Sequence, residues 1–89
     1  MTRPSHVANA AVLQALMDEG QACASALMAA SGYPRAGVVD ALHTLRMQGL
    51  ASYVLVRFSD GSQCRLHSLT AAGIEAALAA APAQITTQL

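Results

Sequence analysis

The chain has 89 residues, a formal net charge of zero, and 54% hydrophobic but only 3% aromatic residues. This length allows one small core, so we expect residues 1–89 to form a single domain. Zero net charge argues against strong, indiscriminate binding to phosphate groups. Charged residues make up 11% of the chain, well below the usual quarter. Such a thin polar surface favours self-association.

The sequence predicts a cytoplasmic protein without a membrane segment. Pro4, His6 and Asn9 interrupt the N-terminus, which therefore does not resemble a signal peptide. No apolar run approaches the roughly 18 residues that a membrane span needs. Two cysteines do not make a disulfide framework, and we expect a protein without a separate effector domain at this length. Abundant Ala, with Arg in place of Lys, points to a GC-rich bacterial genome.

The first predicted helix runs from Asn9 to about Glu19, after a loose lead-in over residues 1–8. Asn9 is a suitable cap for its start, and Gly20 ends it. Residues 21–24 are expected to form a short extended link. The apolar residues of this helix recur at the spacing of one helical face: Val12, Leu13, Leu16 and Met17.

A short second helix, "ALMAAS", is predicted with Ser25 as its N-cap. Leu27 and Ala30 would point inward, and Gly32 suits a left-handed stop.

The third predicted helix covers residues 34–49. Pro34 fits its first turn, where a missing N–H has no partner in any case. Gly49 closes the helix, and Leu50 then returns toward the core. Three residues lie within about 60° of one another at 3.6 residues per turn and form its buried stripe: Val38, Leu42 and Leu45.

A β-hairpin is predicted next, from the segments "ASYVLVRF" and "QCRLHSL". A two-residue turn at Asp60-Gly61 would pair Leu55 with Leu66, Val56 with Arg65, and Arg57 with Cys64. In that register Arg57 and Arg65 point to opposite faces of the hairpin.

A fourth helix, "AAGIEAALAAA", follows the hairpin. Thr70 is expected to cap it and Pro82 to end it, which leaves residues 83–89 as an unassigned tail. Ile74 and Leu78 stand among small residues on this helix. They either pack on the first helix within one subunit or form, with it, the interface of a homodimer.

The predicted order is helix-helix-helix-strand-strand-helix, an α+β fold that is mainly α with a β-hairpin. Three patterns occur in this order: "SALMAASGYPRAGVVDALHTLRMQGLA", a hairpin with "DG" at its tip, and "HSLTAAGIEAA". Together they resemble the winged helix-turn-helix domains of bacterial transcription regulators, including the MarR-like group. The resemblance covers roughly residues 10 to 80.

This resemblance implies a DNA-binding transcriptional regulator whose partner is double-stranded DNA. Helix 34–49 would lie in the major groove, and hairpin 52–69 would be the wing. A single domain of this kind should bind weakly, so a homodimer engaging two half-sites is expected. The positions that match DNA-contacting positions are Arg35, Ala36, Val39, Asp40 and His43 on the helix, and Arg57, Ser59, Ser62 and Arg65 on the wing.

The predicted recognition face departs from the usual pattern, because it is poor in hydrogen-bond donors. Ala36 and Val39 can touch only apolar features such as a thymine methyl group, and Asp40 adds a negative charge. An alternative is therefore a winged-helix protein–protein interaction module that does not bind DNA. Arg46, at the edge of the buried stripe, is expected to pack or to form a salt bridge rather than to contact DNA.

An enzyme is not expected, because the acids and histidines match no catalytic or phosphate-binding motif. No cofactor and no metal are expected either. Cys64 and His67 would project to opposite faces of their strand, and no further ligand lies near them in sequence.

Overall fold

The computed structural model describes residues 4–80, which form four helices and a three-stranded antiparallel sheet with strand order β1-β3-β2. This confirms the predicted α+β class and element order, with one short strand added. Predictions for Pro82 and residues 83–89 lie outside the described residues. The elements are α1 (Pro4–Glu19), β1 (Gln21–Ala22), α2 (Ala24–Ser31), α3 (Arg35–Met47), β2 (Ala51–Arg57), β3 (Gln63–Leu69) and α4 (Ala71–Ala80).

Helix α1 begins at Pro4, so the predictions of a loose lead-in up to residue 8 and of a cap at Asn9 are wrong. The helix starts earlier because Ala8, one turn before Val12, is also buried and extends the apolar face. Proline at the first helical position loses no hydrogen bond. Gly20 ends the helix with a φ of 81°, as predicted.

The core lies where α1, α2 and α3 meet. Ala30 was expected in it but is exposed, because α2 inserts Leu27 and ends at Ser31. The predicted stripe of α3 is confirmed, since its three residues are at most 2% exposed. The largest fully buried side chains are Val12, Leu16, Leu27, Val38 and Leu42.

Helix α2 starts one residue after Cys23, which occupies its N-cap position without a side-chain capping bond. The predicted N-cap, Ser25, lies inside the helix instead. The start is set by β1, a strand that was not predicted: Gln21 pairs with Ser68, and Ala22 pairs with His67. This pairing fixes the direction of the chain before the helix begins.

The hairpin register differs by one residue from the prediction, because Leu55 pairs with Arg65, Val56 with Cys64 and Arg57 with Gln63. The loop has three residues rather than two. The N–H of Phe58 donates to the carbonyl of Ser62 at 2.8 Å, and the N–H of Gly61 donates to the carbonyl of Phe58 at 2.9 Å.

Gly61 has a φ of 91°, as the left-handed position of a three-residue hairpin loop requires. A shift of one residue moves each side chain of a strand to the other face relative to its partner. Arg57 and Arg65 therefore lie on the same face of the hairpin, and the prediction of opposite faces is wrong.

Helix α4 is capped by Thr70, as predicted. The Thr70 hydroxyl accepts a hydrogen bond from the N–H of Gly73 at 3.0 Å and donates to the carbonyl of Gly49 at 2.7 Å. The N–H of Thr70 donates to the carbonyl of Leu50 at 3.0 Å. One threonine thus starts α4 and ties it to the end of α3.

Candidate nucleic-acid interface

The predicted recognition face of α3 is exposed to solvent. Burial of one stripe of the helix in the core leaves the opposite side open, and all five predicted residues lie there: Arg35, Ala36, Val39, Asp40 and His43. Two apolar side chains are prominent on α3, since Val39 is 46% and Met47 75% exposed. The face therefore carries few donors and much apolar surface.

The wing residues Arg57, Ser59, Ser62 and Arg65 are also exposed, but they are not equally free. The Ser62 hydroxyl donates to Oδ1 of Asp60 at 2.6 Å, and the Ser62 N–H donates to the same oxygen at 2.9 Å. These bonds hold the pKa of Asp60 below its usual value. Ser62 thus stabilises the loop, and Asp60 puts a negative charge at the wing tip.

Two arginines from different elements stack on one tyrosine. The guanidinium carbon of Arg46, from α3, lies 5.2 Å from the centre of the Tyr53 ring, and that of Arg65, from β3, lies 4.7 Å from it. Such cation–π contacts each contribute about 0.5–1 kcal/mol at exposed sites. Arg46 therefore packs, as predicted, and its charge is held next to the wing.

A groove of about 610 Å³ separates α3 from the wing. Arg35 and Arg46 line one side, Arg65 lines the other, and Cys23 to Ser25 at the start of α2 close one end. No acidic side chain stands among the described residues that line it. The remaining lining residues are Val39, Leu42, Leu55, Gln63, Cys64 and His67.

His67 is the buried polar residue of this groove, with 4% of its surface exposed. Its Nδ1 atom has no hydrogen-bond partner, and its ring centre lies 5.6 Å from that of Tyr53. Burial lowers the pKa of His67, and the charges of Arg46 and Arg65 lower it further. The imidazole is therefore neutral at pH 7, with its Nδ1 atom buried.

Cys23 lies at the end of the groove that is closed by the start of α2. Its Sγ atom is 3.2 Å from the hydroxyl oxygen of Ser25. The hydrogen bond with the Ser25 hydroxyl is the largest cause of a lowered pKa of the Cys23 thiol. Among residues 4–80, no group of three or more His, Cys, Asp or Glu side chains is placed to hold a metal ion.

The groove contains residues that the sequence did not place near the predicted interface: Cys23, Ser25, Arg46 and His67. Two of the contacts that bring them together are long-range. The pairing of β1 with β3 sets the start of α2 beside His67, and the hairpin register turns Arg65 toward Tyr53. No local sequence pattern carries either signal.

Searches with the sequence alone give no result: no family model matches it, and no curated protein matches it. In the part of the chain that is described, no helix is both long and apolar enough to span a membrane.

Solved structures, in contrast, are clearly similar. A double mutant of Lactococcus lactis ZitR superposes with a TM-score of 0.66 and 24% identity over 81% of this chain and 47% of that one. The apo form of the same mutant gives 0.65 and 24%, over 81% and 52%. Bordetella bronchiseptica BpsR, whose DNA binding is regulated by 6-hydroxynicotinic acid, gives 0.64 and 23%, over 81% and 55%.

The chain thus spans about half the length of these proteins, which are winged-helix transcriptional regulators of the MarR family. The similarity confirms the architecture inferred from the sequence patterns. At 23–24% identity, this similarity establishes the fold of the chain and not its function. The chain has the winged helix-turn-helix fold of MarR-type regulators, with α2 and α3 as the helix-turn-helix and the β2–β3 hairpin as the wing.

Proposed function

We propose that this protein is a DNA-binding transcriptional regulator of the bacterial cytoplasm, not an enzyme, with α3 docking in the major groove of double-stranded DNA. The observation that carries the proposal is that α3 and the hairpin each present an exposed surface with predicted contact residues. The predicted face of α3 is open to solvent, and the hairpin turns Arg57 and Arg65 to a single face. Winged-helix proteins that bind DNA use these two elements together.

The proposed contacts are of two kinds. Arg35, at the first turn of α3, combines its charge with the positive end of the helix dipole and suits a phosphate or a base edge. His43 adds a donor on the same helix, while Ala36 and Val39 can contact thymine methyl groups. Arg57, Ser59 and Arg65 on the wing would contact the flanking backbone. Ser62, whose hydroxyl donates to Asp60, would hold the wing loop in place, and Asp40 brings a negative charge to the α3 face.

Arg35→Ala tests the proposal in a fluorescence-anisotropy titration with duplex DNA. We expect a loss of affinity of roughly tenfold at low salt, since a bidentate base contact is worth about 1–3 kcal/mol. Ser52→Glu is the matched control, because it also lowers the net charge by one, at an exposed position of β2 on the hairpin face opposite Arg57 and Arg65. Equal affinities for wild type and Arg35→Ala would remove α3 from the interface.

A second candidate is a protein–protein interaction module. The exposed Val39 and Met47 on α3 favour it, as does the zero net charge. Phosphate contacts are strong at about 50 mM salt. The absence of any duplex binding by the wild-type chain in that regime would therefore favour this candidate over the regulator.

We also propose a homodimer formed through α1 and α4. Gly73 and Ala77 of α4 are buried, whereas Ile74 is 42% and Leu78 60% exposed. Val7 on α1 is 48% exposed. Burial of such side chains in a dimer would stabilise a domain this small.

Leu78→Glu should shift the sedimentation of the chain from dimer to monomer at micromolar concentration. Met47→Glu is the control, because it places the same charge at an exposed apolar position of α3. Dimers that persist in Leu78→Glu, or a monomeric wild type, would contradict this interface.

A further inference from the structure

The groove between α3 and the wing combines three features that belong to different elements. Arg35, Arg46 and Arg65 supply positive charge from two sides. Helix α2 begins at the groove, and its N-cap residue, Cys23, makes no side-chain capping bond. The floor holds a buried imidazole, His67, whose Nδ1 is unpaired.

We propose that this groove binds a phosphate group, either a phosphodiester of the DNA backbone or a free phosphate. Arg35, Arg46 and Arg65 would provide the charged donors, the N–H groups of Ala24 and Ser25 would close one end, and His67 would donate from the floor. The DNA source rests on the proposed function, whereas the free-phosphate source does not.

The electrostatics of the groove favour an anion. Arg46 and Arg65 both lie within 5.2 Å of the centre of one ring, so their charges repel each other. No carboxylate among the described lining residues offsets them. A bound phosphate anion would reduce this repulsion, and the first N–H groups of a helix add a positive partial charge at the same place.

The geometry favours a phosphate over a planar carboxylate. The donors stand on three walls: α3, β3 and the start of α2. A tetrahedral group presents oxygens in several directions and can meet all three walls, whereas a carboxylate presents two oxygens in one plane. A neutral histidine can donate from one ring nitrogen without adding a further charge.

Two-dimensional NMR of the full chain tests the proposal directly. Inorganic phosphate is titrated at constant ionic strength, with chloride as the balancing ion. We expect saturable shifts of the Ala24 and Ser25 amides and of the His67 ring, while the Gly61 amide at the wing tip stays in place. Shifts that do not saturate, or that spread evenly over the chain, would overturn the proposal.

Arg46→Met keeps the stem that covers Tyr53 but removes the charge. We expect it to weaken phosphate binding about tenfold, while Ser52→Glu, with the same change in net charge, leaves phosphate binding unchanged. Because Arg46→Met also removes a cation–π contact, Arg65→Met on the exposed strand is the second variant. Wild-type phosphate affinity in a folded form of either arginine variant would contradict the assignment.

Duplex DNA separates the two sources. If a backbone phosphate occupies the groove, saturating duplex abolishes the response to inorganic phosphate, and Arg46→Met lowers the salt slope of duplex binding by about one. If free phosphate is the ligand, phosphate still binds in the presence of saturating duplex, or it binds to a chain that does not bind duplex at all.

Failure of the two proposals is distinguishable. If the chain binds phosphate but no duplex, the phosphate site is supported and the proposed regulator function is contradicted. If the wild type binds duplex but not phosphate, and Arg46→Met leaves the salt slope of duplex binding unchanged, the regulator function is supported and the phosphate site is contradicted.

Discussion

Gly73 of α4 lies against the backbone carbonyl of Leu50, so closely that a Cβ atom at residue 73 would overlap the Leu50 oxygen and approach its carbonyl carbon to 2.9 Å. The same carbonyl accepts a hydrogen bond from the N–H of Thr70. The segment Thr70 to Gly73 therefore both caps α4 and lets it approach the loop after α3. This contact explains why the L-T-x-x-G pattern ends in glycine.

Gly73→Ala should destabilise the protein by at least about 2 kcal/mol, because the clash is with backbone and relief requires α4 to move. Gly37→Ala is the matched control within a helix. A Cβ at residue 37 would meet Tyr33 at an ordinary 3.6 Å, so we expect it to stabilise the protein by about 0.5–1 kcal/mol. Urea unfolding measures both variants. Equal effects of the same sign would show that α4 does not require glycine here.

The buried His67 should make stability depend on pH. Burial, Arg46 and Arg65 lower its pKa in the folded state, whereas the unfolded chain titrates near the usual value of about 6.5. The unfolded state thus binds more protons as the pH falls, so this stability is present above about pH 6.5 and is lost below it.

The urea midpoint of the wild type should therefore drop between pH 7.5 and 5.5, and His67→Phe should reduce that drop. His43→Gln is the control, since it removes an exposed imidazole from α3. Parallel pH profiles for wild type and His67→Phe would refute the role of His67.

Asp40 should weaken binding to duplex DNA. It lies exposed on the proposed recognition face, where a carboxylate repels phosphates. We expect Asp40→Asn to raise affinity by up to about fivefold in low salt, in line with about 1 kcal/mol for charges 4 Å apart in water. The gain should shrink at high salt. Anisotropy titrations at two salt concentrations measure this. A loss of affinity confined to particular sequences would instead mean that Asp40 accepts a hydrogen bond from a cytosine amino group.

Cys23 should react as a thiolate at lower pH than an ordinary thiol. The hydrogen bond from Ser25 is the first cause of its lowered pKa, so Ser25→Ala should move the midpoint of its alkylation profile upward. Iodoacetamide labelling followed by peptide mass spectrometry resolves Cys23 from Cys64. Ser52→Ala, an exposed serine of β2, is the control. A midpoint at or above about 8.5 in the wild type would contradict the prediction.

Local patterns were sufficient for most of the fold. The spacing of Val38, Leu42 and Leu45 marks the buried side of α3, because a helix repeats every 3.6 residues. Glycines with positive φ end α1 and α2, at Gly20 and Gly32. These signals depend on neighbours in the chain, and the structure confirms them.

The start of α1 and the hairpin register were predicted wrongly for the same reason. An alanine such as Ala8 carries little hydrophobic signal, and its burial depends on how closely the other helices approach. The register depends on a three-residue loop closed by Phe58, Gly61 and Ser62, whereas Asp-Gly by itself favours the two-residue turn. Packing and backbone pairing decided both.

The sequence by itself determined that the chain would form a winged helix-turn-helix, since element order, turns and buried faces are all encoded within short segments. The tertiary structure alone decided what the exposed surface holds. Arg57 and Arg65 share a face because the hairpin shifts by one residue. His67 meets Arg46 and the start of α2 because β1 pairs with β3. Pairing between distant segments depends on the relative position of whole elements, which local spacing does not specify.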